Sequence, residues 1–336
     1  MKILYLKPIN SNIFGKNTLL MQNIANIGEL SVIDDDGTMP IDERCKLIRE
    51  YDVLLTAWES SPVPIEIAKE SGDLKYICNM TGSVKPFIPL EIIESPNILV
   101  TNWGNSPSYY VAEGAVALLF ALLKIIPKYI KSAQSRSGEL PIREWQGSLY
   151  NMNVGIYGMG MIGAKFAEMI APFRPNMYAF DPYVDEFPSC VKRCNTLDDL
   201  FDKCPIIVVH AGLTDETEGT ITKELLQKLP DGGIIINTAR SKIINEQDLE
   251  KELISGRLRA GIDVAHPNDN LPPVDSPLLE LENAIFTGHH VGGGGWQNFG
   301  CKYGGLDDIC LDNLKKFANG KELSFIIDPI KYSRST

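Results

Sequence analysis

The sequence predicts an α/β protein of two domains, each a doubly wound parallel sheet, with one domain inserted into the other. Three observations predict this. Short apolar runs alternate with helix-like stretches through residues 1–103, a second alternation begins at Val154, and the chain closes in a segment too short to form a domain. Strands that alternate with helices are joined by crossovers, which gives parallel sheets covered on both faces. A chain of 336 residues is also long for a single core.

In the first stretch, 2–6, 30–33, 53–56, 76–78 and 98–101 read as buried strands, and 17–27, 42–50, 64–70 and 89–94 as helices. Over 105–131, Val111, Ala115, Leu118, Leu119, Leu122, Ile125 and Ile126 recur at helical spacing, and Pro127 ends or kinks the run. This helix is apolar on more than one face, which points to burial between domains or between subunits. The later strands are expected at 154–157, 177–180, 206–209, 234–236, 261–264 and 284–286, with helices at 196–202, 222–229 and 246–255. A last helix over 302–317 and the run Phe325-Ile326-Ile327 should return to the first domain. The expected division is therefore 1–103 with 290–336, against 104–289.

Composition narrows the function. Apolar content of 44% and charged content of 22% fit an ordinary globular chain, and a net charge of −11 with no basic cluster argues against a nucleic-acid partner. The start, MKILYLKP, does not resemble a signal peptide, and the apolar run 114–123 is too short to span a bilayer, so no membrane association is expected. Seven cysteines without a C-x-x-C pair suggest reduced thiols in a cytoplasm, and Cys190 and Cys194 lack the second ligand pair of a metal site.

The chemistry gathers after the strands of the second domain. The run 154–157 meets Gly158-Met159-Gly160-Met161-Ile162-Gly163, a G-x-G-x-x-G that opens a helix. Its glycines allow a tight turn and close approach to a pyrophosphate, which the helix N-terminus receives. Asp181 ends the next strand, where an acid about 20 residues on binds the adenosine ribose. An Asp there favours NAD over NADP, because it repels a 2′-phosphate. The following strands end in His210-Ala211, in Asn237-Thr238-Ala239-Arg240, in Asp263, and in His289-His290. Open α/β sheets bind ligands at the carboxyl ends of their strands, so three of the four histidines, Arg240 and two aspartates share one edge.

This pattern resembles the D-isomer-specific 2-hydroxyacid dehydrogenases over nearly the whole chain. The matching segments are 158–163, Ile235-Ile236-Asn237-Thr238-Ala239-Arg240, 255–264, Asp275-Ser276-Pro277-Leu278, Thr287-Gly288-His289, and Val111-Ala112-Glu113 in the long helix. The resemblance implies a Rossmann NAD domain inserted in a flavodoxin-like substrate domain, a homodimer, and a small 2-hydroxy or 2-keto acid substrate. It makes His289 the acid/base and Arg240 the carboxylate anchor, chemistry that suits an imidazole and a guanidinium. Gly158, Gly160, Met161, Ile162, Gly163, Asp181, His210, Ala211, Thr238, Ala239 and Asp263 would line the cofactor, with Asp263 toward the nicotinamide carboxamide. Gly82 and Ser83 stand where the family's glycine loop meets the substrate carboxylate, and Met80, Val84 and Trp296 would bear on substrate choice, with Trp58 read rather as packing.

Two departures stand out. The family has a glutamate after the aspartate matching Asp263, which pairs with the histidine; here no glutamate follows, and Asn268, Asp269 or neither takes its place. Gly288 stands where the family has proline, ahead of four consecutive glycines, and suggests a looser hinge. Two other readings therefore stay open: a formate-dehydrogenase-like enzyme, in which Asn268 pairs with the histidine, and an NAD(H)-sensing binding protein.

Overall fold

The computed structural model describes residues 1–9, 18–58, 60–135, 146–293 and 308–334. Its contacts divide the chain into Met1–Pro107 with Gly295–Thr336, and Ser108–Gly294. Trp145, Trp296 and the expected helix start at 302–307 lie outside the described residues.

The first unit is a five-stranded parallel sheet of β1 (Lys2–Pro8), β2 (Glu29–Asp35), β3 (Val53–Thr56), β4 (Tyr76–Asn79) and β5 (Leu99–Thr101). The order β2-β1-β3-β4-β5 is flavodoxin-like. Alternation along β1 sends Leu4 and Leu6 to one face and Ile3 and Tyr5 to the other. The first face packs on Ile48, Ile67 and Ile92, the second on Met21 and Ile24. The C-terminal segment completes this unit. Cys310 and Leu314 of helix Asp308–Ala318 are fully buried in the second face. Thr101 bridges Ile326, and the Ile327 N–H donates to the Val100 carbonyl at 2.9 Å, which covers the β5 edge. A short helix, Pro329–Arg334, had no apolar period to announce it.

The second unit holds seven parallel strands: β6 (Asn153–Tyr157), β7 (Asn176–Phe180), β8 (Val191–Arg193), β9 (Ile206–Val209), β10 (Ile234–Asn237), β11 (Arg259–Ile262) and β12 (Ala284–Phe286). Their order, β12-β11-β10-β9-β6-β7-β8, reverses direction between β6 and β9, where doubly wound sheets bind their ligands. β9 and β10 are buried throughout. β8 is the strand that sequence reading missed: three residues long, two of them basic, and paired on one side only. Charged, short edge strands lack the apolar signal of central ones.

The expected long helix is two helices, Ser108–Leu123 and Ile126–Ser135, bent by 61°. The break falls at Ile125, which takes a left-handed φ of 48°. Pro127 sits in the first turn of the second helix, where its missing N–H costs nothing. Ala112, Ala115, Leu118, Leu119 and Leu122 pack on Val154, Ile156, Val208 and Ile236, inside the core of this unit itself. Among the described residues no single helix is long and apolar enough to cross a membrane.

Candidate active site

The glycine turn has the shape a dinucleotide requires. Gly158 has a φ of +94°, and a Cβ there would lie 2.4 Å from the Ala211 amide nitrogen. At Gly163 a Cβ would meet the Gly158 carbonyl at 2.1 Å, so only glycine lets helix Met161–Ile170 close onto the turn. At Gly160 nothing lies within 4 Å, and no side chain caps the helix. The first N–H groups of the helix thus face open space, ready for an anion. Asp181 completes the cradle, accepting the Met159 N–H on Oδ2 and the Tyr183 N–H on Oδ1, each at 2.8 Å. These residues fit an NAD pyrophosphate and ribose.

Arg193, on β8, supports that arrangement and went unnoticed in the sequence. Its guanidinium donates to the carbonyls of Asp181 (2.9 Å), Val184 (2.5 Å) and Asp185 (2.9 Å), and stacks 3.8 Å from the Phe187 ring centroid. The loop carrying Asp181 is tied to the edge strand by one side chain.

His210 follows β9 and is half-buried, with its Nε2 shut off from solvent. Its Nδ1 lies 3.2 Å from Thr238 Oγ1, its ring stands 5.3 Å from that of Phe166, and its buried Nε2 has no protein partner. Burial pushes its pKa down to about 3. The folded value lies below the unfolded 6.5, so protons bind the unfolded chain first. The associated stability is complete above the unfolded value and is lost as pH falls from there toward 3. Unfolding free energy should fall by about 1.4 kcal/mol per pH unit in that window. Urea denaturation of wild type and His210→Asn at several acidic pH values checks this. Equal slopes would show that His210 does not carry the effect.

Beyond β10 the chain turns sharply. The buried Asn237 side chain donates to the Arg240 carbonyl (2.9 Å) and accepts the Ala239 N–H (3.0 Å), fixing the turn that presents Arg240. The Arg240 Nη1 donates to the Ala239 carbonyl at 2.7 Å, and Nε lies 3.7 Å from Asp269 Oδ2. Burial lowers the guanidinium's pKa and Asp269 opposes that. Asp269, at a left-handed φ of 53°, also accepts the Ser241 N–H at 2.7 Å on Oδ1.

The sequence left Asp269 as a candidate partner of His289; the structure instead pairs it with Arg240. No hydrogen bond or ion pair joins it to His289 among the described residues. Asp269→Asn should accordingly raise the KM for a 2-oxo acid several-fold, roughly the loss of one charged interaction, without displacing the pH–rate profile. A shifted profile would return Asp269 to the histidine.

His289 is presented by a strap built on Asp263. The buried Asp263 carboxylate accepts Thr287 Oγ1 (2.6 Å) and the N–H groups of His290 and Val291 (3.0 Å each), all on Oδ1. Its carbonyl accepts the His289 N–H at 2.5 Å. These bonds hold Gly288 at φ +62° and His289 at φ +65°, a conformation costly for a non-glycine residue. Proline, with φ fixed near −65°, could not occupy position 288 in this strap. A Cβ there would also meet Leu271 Cγ at 2.9 Å, so the glycine marks a close approach of the strap to that side chain. The His289 side chain is exposed and makes no hydrogen bond among the described residues, whereas His290 Nδ1 is bound to the Gly288 carbonyl.

Gly158, Gly160, Met161, Ile162, Gly163, Asp181, His210, Ala211, Thr238, Ala239, Arg240, Asp263, Asp269 and His289 thus all lie at the carboxyl edge of the second sheet. Gly82 and Ser83 belong to the first unit, in the loop after β4.

Residues 116–291 match the model of the D-isomer specific 2-hydroxyacid dehydrogenase NAD binding domain. The chain belongs to the D-isomer specific 2-hydroxyacid dehydrogenase family. Hydroxypyruvate reductase of Thermotoga maritima is 30% identical over 270 residues, 80% of this chain and 86% of that one. D-3-phosphoglycerate dehydrogenase of Mycobacterium bovis is 32% identical over 252 residues, 74% of this chain; the chain spans only 46% of that protein's length. In fold, D-lactate dehydrogenase with NAD+ from Lactobacillus jensenii superposes with a TM-score of 0.78 at 20% identity, covering 98% of this chain and 100% of that one.

Proposed function

We propose that the protein is an NAD-dependent 2-hydroxyacid dehydrogenase that works in the cell as a 2-keto acid reductase. The observation that carries this reading is the pairing of a pinned guanidinium with an open imidazole. Arg240 follows β10 and His289 follows β12, one strand removed across β11, on the edge that holds the dinucleotide cradle.

Bound NAD(H) supplies or accepts the hydride. Arg240 takes the substrate carboxylate on its guanidinium and draws electron density from the adjacent carbonyl. The His289 imidazole donates a proton to the carbonyl oxygen in reduction and removes it in oxidation. Asp263 holds His289 in place, and Asn237 and Asp269 hold Arg240. His210 is kept neutral by burial and packs beside the cradle against Thr238 and Phe166.

The test is NADH oxidation with a panel of 2-keto acids, run beside formate with NAD. Turnover of formate alone would favour the formate-dehydrogenase reading. Tight NADH binding with no turnover of any acid would favour the sensing protein.

We also infer a homodimer. Helix Ile126–Ser135 buries none of its residues, and Ile126 and Ile130 are exposed, as are Tyr150 and Phe173. A second copy would cover this apolar set. Sedimentation should give twice the monomer mass, and Ile130→Glu should shift it toward monomer; an unchanged mass would place the interface elsewhere. The free buried thiols Cys45, Cys78, Cys194, Cys204 and Cys310 support a reducing compartment, the cytoplasm.

A further inference from the structure

The strap that carries His289 runs on through Val291 and Gly292, and these two residues are seated on the helix Ser108–Leu123. A Cβ added at Gly114, inside that helix, would stand 2.6 Å from the Val291 carbonyl oxygen and 2.8 Å from its Cγ1. A Cβ added at Gly292 would stand 2.6 Å from Val111 Cγ2. Residues three apart lie on one helix face, so the contact is reciprocal. Val291 fills the gap over Gly114, and Val111 fills the gap over Gly292.

Neither glycine is there for its backbone, since neither has a left-handed φ. In a helix interior glycine is among the least favourable residues, which leaves space as its reason at 114. The two gaps differ in what fills them. At Gly114 a main-chain carbonyl takes part, so a methyl group there has to move the strap itself. At Gly292 only the end of a valine side chain is close, because Val111 Cα and Cβ lie at ordinary distances of 3.5 and 3.6 Å.

The helix is itself fixed to the strand that leads to Asp263. A Cβ at Gly261 of β11 would meet Leu118 Cβ, one turn beyond Gly114, at 2.9 Å. Asp263 follows two residues later and accepts the Val291 N–H on Oδ1 at 3.0 Å. Val291 is thus held twice, through its N–H by Asp263 and through its side chain and carbonyl by the helix. His289 lies just before it, between the bonds of Asp263 to Thr287 and to His290. Its imidazole is exposed and has no side-chain bond among the described residues, so it goes where the strap takes it.

We infer that Gly114 and Gly292 are positioning residues for His289: the gaps they leave lock Val291 and Val111 together and fix the strap from which the imidazole reaches the substrate. The inference rests on the 2-keto acid reading above and adds the helix that steadies its proton carrier. In the sequence Gly114 reads as the first residue of an apolar run and Gly292 as the first of four glycines, and neither pattern reveals the contact.

The test is steady-state reduction of a 2-keto acid, with NADH affinity read separately by fluorescence. Gly114→Ala should lower kcat about 10- to 100-fold, the effect of displacing a reacting group by up to about 1 Å. The KM for the acid and the affinity for NADH should stay within threefold of wild type. Gly292→Ala should lower kcat about tenfold and serves if Gly114→Ala does not fold. Adding Val111→Ala to Gly292→Ala removes the methyl group that the new Cβ strikes, and should restore kcat to within threefold of wild type. A folded glycine variant with kcat within twofold of wild type, or a loss that Val111→Ala leaves in place, would overturn the inference alone. A wild-type protein that binds NADH but reduces no 2-keto acid would overturn it together with the reading it rests on.

Discussion

Replacing His289 with alanine should lower kcat for 2-keto acid reduction by about 10²- to 10⁴-fold, while NADH affinity stays at the wild-type level. The imidazole is exposed and uncommitted, and its backbone is clamped by Asp263 in a conformation that asparagine also tolerates. His289→Asn therefore separates chemistry from turn geometry, since it keeps the strap and cannot relay a proton. Both variants should be equally inactive. His290 carries the competing imidazole, with Nδ1 bound to the Gly288 carbonyl within the same strap, and His290→Asn should leave turnover within tenfold of wild type. An asparagine variant that retained turnover within tenfold of wild type would remove His289 from the acid/base role.

Arg240→Ala should cost kcat/KM about 10²- to 10⁴-fold, the loss of two charge-assisted hydrogen bonds to a carboxylate. The guanidinium is partly desolvated, held by the Ala239 carbonyl and set beside Asp269, so its direction is fixed before substrate arrives. Such pre-organisation makes a lysine a poor replacement, because a point charge cannot present the planar fork. Arg240→Lys should recover little of the loss. NADH affinity is the control in both variants. If it falls along with turnover, Arg240 supports the cofactor cradle rather than the substrate.

Much of this was legible in the chain because period and glycine chemistry carry far. Central strands such as β9 and β10 are continuous apolar runs, and the turn at 158–163 announces itself by the spacing of its glycines. The candidate residues were legible as strand endings, since topology alone sends those to one edge. Less was legible where a side chain's partner decides its role. Asp269 lies close in sequence to several candidates, and only the loop's left-handed turn shows that it faces Arg240. Gly288 showed in the sequence only as a departure from the family, and its left-handed φ and the Leu271 side chain, 2.9 Å from where a Cβ would stand, give the local reason for a glycine. Asp263 was read for the nicotinamide, yet its Oδ1 is spent on the strap that carries His289. Arg193 was invisible because its work lies in binding main-chain carbonyls, which leaves no periodic signal. Arg257, part of the recognised signature, likewise ties the Leu226 and Leu229 carbonyls and belongs to the framework.

The most direct test of the central claim is a single turnover. Enzyme pre-loaded with one equivalent of NADH is mixed with excess 2-keto acid, and both NADH and the product are measured. The site described here predicts that NADH disappears in one phase, with an equal amount of 2-hydroxy acid of D configuration formed. NADH that stays bound and unoxidised across the whole panel of acids would contradict it.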